Sequence, residues 1–317
     1  MKFYKQIACT KDMTKEDWLS MRRNGIGGSD AGAVAGMNPY SSAFSVYYDK
    51  IGAAPEKETN EAMRIGTDLE EYVAKRFTEQ TGKKVRVCKY MLQSTLEPYM
   101  IADVDRMVVG ENAILECKTT INRDGYTFEG NDFPAYWYCQ CLHYLAVTLA
   151  DRIYLAVLVF SKGLFVITID RNEVRKDIEA LVQIERRFWY EHVKAEIPPA
   201  PDGGESASEI IDALYPNGDE RLPGVDLMAY AEQLEKLEEI KGKIKELEAE
   251  KGSVENIIKE ALGEATEGEY GAYRVSWKNR ETTRLDTKAL KKDLPDVYEK
   301  YAKTSSSRTF LFKSEKN

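Results

Sequence analysis

The sequence predicts an α/β fold of the α+β kind, with a central mixed β-sheet flanked by helices and a C-terminal extension of a long helix and short strands. Three observations predict it. Between residues 61 and 192, stretches with helical periodicity alternate with β-rich stretches of ordinary strand length. A polar break containing Pro, Gly and Ser, IPPAPDGGESAS at 197–208, then ends the globular pattern. Beyond it the composition turns charged and helical. These features divide the chain into a core at 1–196, a linker at 197–226 and a C-terminal unit at 227–317.

Taken in order, TKEDWLSMRR (14–23) forms the first helical stretch. Gly25, Gly27 and Gly28 read as a flexible turn. Ser29 reads as the N-cap of a short helix running from Asp30 to Ala35, which Gly36 ends. Residues 61–81 form a longer helix, because Met63, Ile65, Leu69, Val73 and Phe77 recur at helical spacing and Gly82 closes it. VRVCKYML (85–92) and YMIADVDRMVV (99–109) read as strands, and Gly110-Glu111-Asn112 turns the chain into a third, AILECKTT (113–120). A helix follows over about 134–148, with Pro134 suited to its first turn. Strands at 153–160 and 164–170 join through Ser161-Lys162-Gly163, and an amphipathic helix spans about Glu173 to His192. Residues 227–262 form a charged helix with apolar residues at an approximate 3-4 spacing. Gln233 and Lys251 interrupt that seam, Gly242 and Gly252 weaken it, and the pattern suits packing on a neighbour or a partner better than a long autonomous coiled coil. The remainder reads as a strand, a short helix and a terminal strand ending in SSSRTFLF (305–312).

Composition narrows the chemistry. The 317-residue chain has no apolar run near the roughly 18 residues that span a bilayer, and its first residues lack a secretory apolar region. The expected location is the cytoplasm. Five cysteines, odd in number and irregular in spacing, do not make a disulfide framework and read as reduced, mostly buried thiols. Only two histidines are present, His143 and His192, so a His-rich metal site is excluded and carboxylates and lysine must carry any catalysis. His143 is expected to be a satisfied packing residue, and Trp18, Trp137 and Trp189 core residues. A net charge of -8 weighs against broad nucleic-acid attraction but says nothing of local fields.

The residues that point to chemistry are Asp105 and Leu115-Glu116-Cys117-Lys118. Side chains alternate along a strand, so Glu116 and Lys118 share one face while Leu115 and Cys117 take the other. Pairing across the Gly110 turn brings Asp105 to Glu116. Two carboxylates and a backbone carbonyl suit Mg²⁺ or Mn²⁺, hard ions that prefer oxygen. A same-face lysine orients or deprotonates a water, the latter only if burial lowers its pKa. The bare spacing also fits two surface strands joined by a salt bridge. Context favours metal-assisted phosphodiester hydrolysis, since Glu70 lies on an upstream helix and Gln140 on the helix that follows.

Four separated segments occur together: RRNGIGGSD (22–30), GTDLE (66–70), ADVDR with LECKT (102–106 and 115–119), and YWYCQCLHYLAVT (136–148). In this order they resemble the YqaJ-type viral recombinases, phage-type alkaline exonucleases similar to the lambda exonuclease, within the PD-(D/E)xK nuclease superfamily. The resemblance covers about residues 15–195 and implies a restriction-endonuclease-like core. It implies an Mg²⁺-dependent 5′-to-3′ exonuclease on linear double-stranded DNA, with Mn²⁺ able to substitute. It assigns Asp105, Glu116, Glu70 and the Cys117 carbonyl to the metal, Lys118 to catalysis and Gln140 to the lining of the site. Arg22 and Ser29 match the pair that holds the 5′-phosphate, and a helix N-terminus beside an arginine suits an anion. The partners implied are DNA ends, a phage single-strand annealing protein and further copies of the chain in a ring, a trimer being favoured. One departure is Val104 where a proline usually precedes the aspartate. It leaves Asp103 as a competing choice, though the Asp105 register fits the strand spacing better. Readings kept beside this one are an endonuclease or other end-processing nuclease of the same superfamily, and a catalytically silent DNA-binding or scaffold protein.

Overall fold

One hairpin shared between two β-sheets organises the first part of the molecule. The computed structural model describes residues 4–55, 59–160, 162–304 and 307–314, and the chain divides into two units, Met1–Tyr215 and Pro216–Asn317. In the first unit, β1 (Tyr4–Cys9), β3 (Tyr90–Ser94) and β4 (Ile101–Ala102) form an antiparallel sheet in the order β1-β3-β4. A second sheet has the order β2-β5-β6-β7-β8, from β2 (Val85–Val87), β5 (Arg106–Val108), β6 (Ala113–Thr120), β7 (Arg152–Val159) and β8 (Gly163–Asp170). It is mixed: β6 and β7 run parallel and the other neighbours antiparallel. The stretches expected as continuous strands at 85–92 and 99–109 therefore each break in two. Their outer halves pair as β2 with β5, and their inner halves as β3 with β4. The second break holds Asp103, Val104 and Asp105, and Val104 there is buried in the core.

The parallel pair needs a crossover, and α5 (Ala135–Thr148) supplies it. Each face of the sheet is covered. On one, Val73, Ala74 and Phe77 of α4 (Glu61–Thr81) pack against Leu115, Tyr154 and Ala156. Phe77 and Val73 are fully buried, worth about 1.5–3 kcal/mol each. On the other face, Ile114, Ile153, Leu155 and Val157 meet α5, α2 (Gly28–Val34) and α6 (Arg175–Arg187). The 61–81 helix ends as expected at Gly82, which is left-handed at φ 72. A π-helical turn, Phe188–Val193, follows α6. His143 and Glu185, both fully buried, tie α5 to α6 at 2.8 Å, and His143 Nε2 lies 2.8 Å from the Ile101 carbonyl.

Several expectations change. The short helix begins at Gly28 with Gly27 as its N-cap, so Ser29 is its second residue and caps nothing. Capping falls to Asp30, whose carboxylate accepts from the Gly27 N–H at 2.9 Å. The helix α1 (Lys15–Arg23), capped by Thr14, agrees with the expectation, whereas β1 and α3 (Ala43–Lys50) were not foreseen. The expected linker at 197–226 is in part a helix, α7 (Glu205–Leu214), which buries Ala207 and Ile210 against Phe44. Its apolar residues sit three or four apart behind the Pro- and Gly-containing stretch, and they move the boundary from 196 to Tyr215. Ser161, expected in the turn before β8, lies outside the described residues.

The second unit contains α8 (Ala231–Leu262), a hairpin of β9 (Glu267–Tyr270) and β10 (Tyr273–Ser276), and two short helices, α9 (Thr287–Asp293) and α10 (Pro295–Tyr301). The terminal strand is not formed by the described residues near the C-terminus, and Ser305 and Ser306 of that stretch lie outside them. No described residue beyond Tyr215 is buried. Among the described residues no helix is long and apolar enough to cross a membrane.

Candidate active site

Glu116 and Lys118 project from β6 toward α5, because Leu115 and Cys117 turn the opposite way to α4. The Lys118 ammonium donates to Glu116 Oε1 at 2.7 Å and to Gln140 Oε1 at 2.9 Å. The Gln140 amide donates to Glu116 Oε1 at 2.6 Å and to the Tyr144 hydroxyl at 3.1 Å. Tyr144 in turn donates to the Asp103 carbonyl at 2.9 Å. Asp105 joins from the bend before β5, its carboxylate accepting the Cys117 N–H at 2.7 Å. The structure thus brings Asp105, Glu116, Lys118 and Gln140 together. It also separates the two candidate aspartates: Asp105 reaches β6, whereas Asp103 accepts from the Trp18 indole at 2.8 Å.

Electrostatics mark the cluster. Burial raises the Asp105 carboxyl well above the usual range, and the Glu116 and Glu70 charges add to the rise. Burial also raises Glu116, although Lys118 opposes it. For Lys118 burial acts downward, yet the attraction of Glu116 and Asp105 outweighs it and the ammonium lies above its ordinary value. With both carboxylates free to attract it, Lys118 is not shifted in the direction a general base needs. Its chemistry here is that of a cation and hydrogen-bond donor.

The residues fit a hard divalent cation. Glu116 Oε2 is buried and has no hydrogen-bond partner, and the buried Asp105 and Glu116 carboxylates repel one another. Glu70 is engaged elsewhere: its carboxylate pairs with the buried Arg106 guanidinium, which also donates to Glu71 at 2.9 Å and to the Asp105 carbonyl at 2.8 Å. Among the described residues no three His, Cys, Asp or Glu side chains converge closely enough to hold a metal by themselves. The cause is positional, since α4 packs on the sheet face opposite Glu116 and an arginine intercepts its Glu70. Sequence reasoning missed Arg106, though it follows Asp105 directly. It also missed Tyr144, which sits one helical turn beyond Gln140.

Arg22 and Ser29 are brought together at 2.6 Å. The same guanidinium meets Asp30 at 3.0 Å and lies 4.7 Å over the Trp18 ring. Asp30 is shared, accepting from the fully buried Lys50 ammonium at 2.6 Å. Lys50 and Arg22 outweigh burial and hold the Asp30 carboxyl far below its ordinary range. The start of α2 thus already carries a carboxylate, so the expected helix-dipole contribution to anion binding gives way to Arg22 and Ser29 alone. The glycines before it are not a flexible turn. A Cβ on Gly25 would lie 2.5 Å from the Tyr99 carbonyl oxygen, and one on Gly28 would lie 2.4 Å from the Tyr144 ring. They let this segment and the start of α2 approach Tyr99–Ile101 and α5, the helix that carries Gln140.

Comparison with known proteins now places the chain. The model of the YqaJ-like viral recombinase domain matches residues 17–151, a span that includes Arg22, Ser29, Glu70, Asp105, Glu116, Lys118 and Gln140. Among solved structures, a putative exonuclease from Eubacterium rectale aligns with 69% of this chain and 98% of its own, at 13% identity and a TM-score of 0.47. An alkaline exonuclease from Laribacter hongkongensis aligns with 57% of this chain and 98% of its own, at 19% identity and a TM-score of 0.43. These structural likenesses are too loose to bear on chemistry. Sequence similarity is far closer to the uncharacterized protein YqaJ of Bacillus subtilis (strain 168), 37% identical over 311 residues and 97% of both chains. The chain belongs to the YqaJ-like viral recombinase family.

Proposed function

We propose that the protein is a metal-dependent deoxyribonuclease that resects linear double-stranded DNA from a 5′ end, leaving a 3′ single strand for annealing. The observation that carries this reading is the convergence of Asp105, Glu116, Lys118 and Gln140, with a buried Glu116 oxygen lacking any partner. Asp105 and Glu116, with the Cys117 carbonyl, would hold Mg²⁺ or Mn²⁺. When bound, such an ion polarises the scissile phosphate and activates water.

The chain's own groups do the rest. Lys118, positioned by Glu116 and Gln140, would donate to the oxygen on which negative charge grows. Gln140 hydrogen-bonds both Lys118 and Glu116 and limits their rotation. Glu70, paired with Arg106, adds negative charge that acts on Asp105 and Glu116. Arg22 and Ser29 grip the terminal phosphate, which sets the end from which resection begins.

Linear DNA labelled at the 5′ or the 3′ end, with and without a 5′-phosphate, tests the reading in the presence of Mg²⁺. Loss of the 5′ label first, faster with the phosphate, is the expected result. Lys118→Ala is expected to abolish cleavage while circular dichroism still reports the fold. Full cleavage by that variant, or cleavage undiminished by chelation, would overturn the assignment.

A further inference from the structure

We infer that α8 is a self-association helix that pairs antiparallel with α8 of a second copy of this chain. The starting point is the absence of a core: none of the described residues of the second unit is buried, although α8 is 32 residues, about 48 Å, long. In proteins most helical stability comes from packing an apolar face. Such a face exists and is uncovered. Ile240, Ile244, Leu247, Val254, Ile257 and Ile258 are between 39% and 65% exposed.

These residues follow a heptad. With Leu237, Ile244 and Ile258 at position a, and Ile240, Leu247 and Val254 at position d, every Leu, Ile and Val of the helix falls on a, d, e or g. The two glycines fall outside the seam, Gly242 at f and Gly252 at b, so neither interrupts it. Lys251 is the one charged residue at a core position. Its long aliphatic stem can cover the seam while the ammonium reaches the rim.

Charge then selects the occupant and its direction. The charged residues at e and g are Lys236, Lys241 and Lys243 in the first half, and Glu248, Glu250 and Glu255 in the second. A parallel copy would set Lys236 against Lys241 and Glu250 against Glu255, leaving only Lys243 with Glu248 as an attractive pair. An antiparallel copy whose Leu237 faces Val254, and whose Ile244 faces Leu247, sets e against e and g against g. Lys241 then meets Glu248, Lys243 meets Glu250, and the two-fold axis repeats both contacts. One half of the helix is the electrostatic complement of the other. Lys241 also donates to the Phe312 carbonyl at 3.0 Å, which leaves it further N–H groups for Glu248.

This pairing is independent of the nuclease reading, and sedimentation equilibrium on the full chain tests it without an activity measurement. The variants are Lys241→Glu/Lys243→Glu, Glu248→Lys/Glu250→Lys, and all four substitutions in one chain. All lie on an exposed helix face, and circular dichroism checks that each keeps its helix. Each half-reversed variant is expected to self-associate on the order of 100-fold more weakly, because four attractive contacts become repulsive. The four-fold variant should recover the original association, and a mixture of the two half-reversed chains should pair with each other. Direction is read by oxidising a mixture of Leu237→Cys and Val254→Cys chains, both carrying Cys9→Ser. A disulfide dimer is expected from the mixture and not from Leu237→Cys alone. Unchanged association in both half-reversed variants, a monomeric wild type, or efficient cross-linking of Leu237→Cys alone would overturn the proposal.

Discussion

Remove the Lys118 ammonium and the buried Glu116 carboxylate keeps only the Gln140 amide. Breaking one side of a buried pair leaves a charge without compensation, so Lys118→Ala should lose about 3 kcal/mol in urea unfolding at neutral pH. Adding Glu116→Gln should return most of that loss, which separates charge imbalance from lost packing. Asp30 makes the complementary case, since Asp30→Asn leaves the buried Lys50 ammonium only the Arg22 carbonyl at 3.2 Å and Asp49 at 3.5 Å, and weakens the grip on Arg22. A loss of about 3–5 kcal/mol is expected, and it should shrink in acid. The sign follows from a depressed folded pKa: the stabilisation is present above the unfolded value near 3.9 and fades as pH falls through the folded one. His143 and Glu185 act in the opposite sense. The Ile101 carbonyl only accepts, so Nε2 carries a hydrogen, and the contact with Glu185 needs a second. Burial lowers the imidazole, but Glu185 more than restores it, and burial raises Glu185 itself. The folded pair therefore holds a proton that the unfolded chain releases above a pH of about 6.5. Stability should decline as pH rises from there, by at most about 1.4 kcal/mol per pH unit. The double variant His143→Gln/Glu185→Gln should flatten that slope; an unchanged slope would refute the pair as its source.

Among the elements, α2 is held to tighter tolerance than its seven residues suggest. A methyl group on Gly28 meets the Tyr144 ring at 2.4 Å and Gln140 Cγ at 3.0 Å. Gly28→Ala should therefore destabilise the unit by about 1–3 kcal/mol in thermal unfolding and reduce cleavage more than it reduces stability. A stability change without an activity change would show that Gln140 is not held by this contact. The elements that were readable in advance share one property, a pattern that is local. The helix α4 repeats its apolar residues every three or four positions, and β6 alternates Leu115 and Cys117 against Glu116 and Lys118, so both follow from neighbours alone. What escaped depends on partners distant in sequence. The breaks at 88–89 and 103–105 exist because two sheets compete for one hairpin, and β1 is a strand only because β3 offers an edge. Glu70 was correctly placed on its helix, but its capture by Arg106 depends on how α4 lies across the sheet. Ser29 looked like a cap because it follows two glycines, yet Asp30 was the better acceptor at the third helical position.

For the whole molecule, the boundary after Tyr215 makes a quantitative difference. A fragment ending at 215 keeps Ala207 and Ile210 over Phe44, whereas one ending at 196 exposes that cluster. The longer fragment should unfold cooperatively and be about 3 kcal/mol more stable in urea, from the burial of Ile210 and its neighbours. Equal stability would show that α7 contributes nothing to the unit. The shared hairpin sets a further condition, on how this chain can change length. Between β4 and β5 only Asp103, Val104 and Asp105 separate a residue committed to one sheet from a residue committed to the other. Each is fixed by a different neighbour: Trp18, the core, and the Cys117 N–H. One residue gained or lost there would turn either Ile101–Ala102 or Arg106–Val108 inside out unless a bulge took it up. The Gly110 turn and the stretch at 95–98, by contrast, end in solvent. Natural or engineered insertions should accumulate at those two tips and be absent from the three-residue span between them, so the hairpin varies at its ends and keeps its middle.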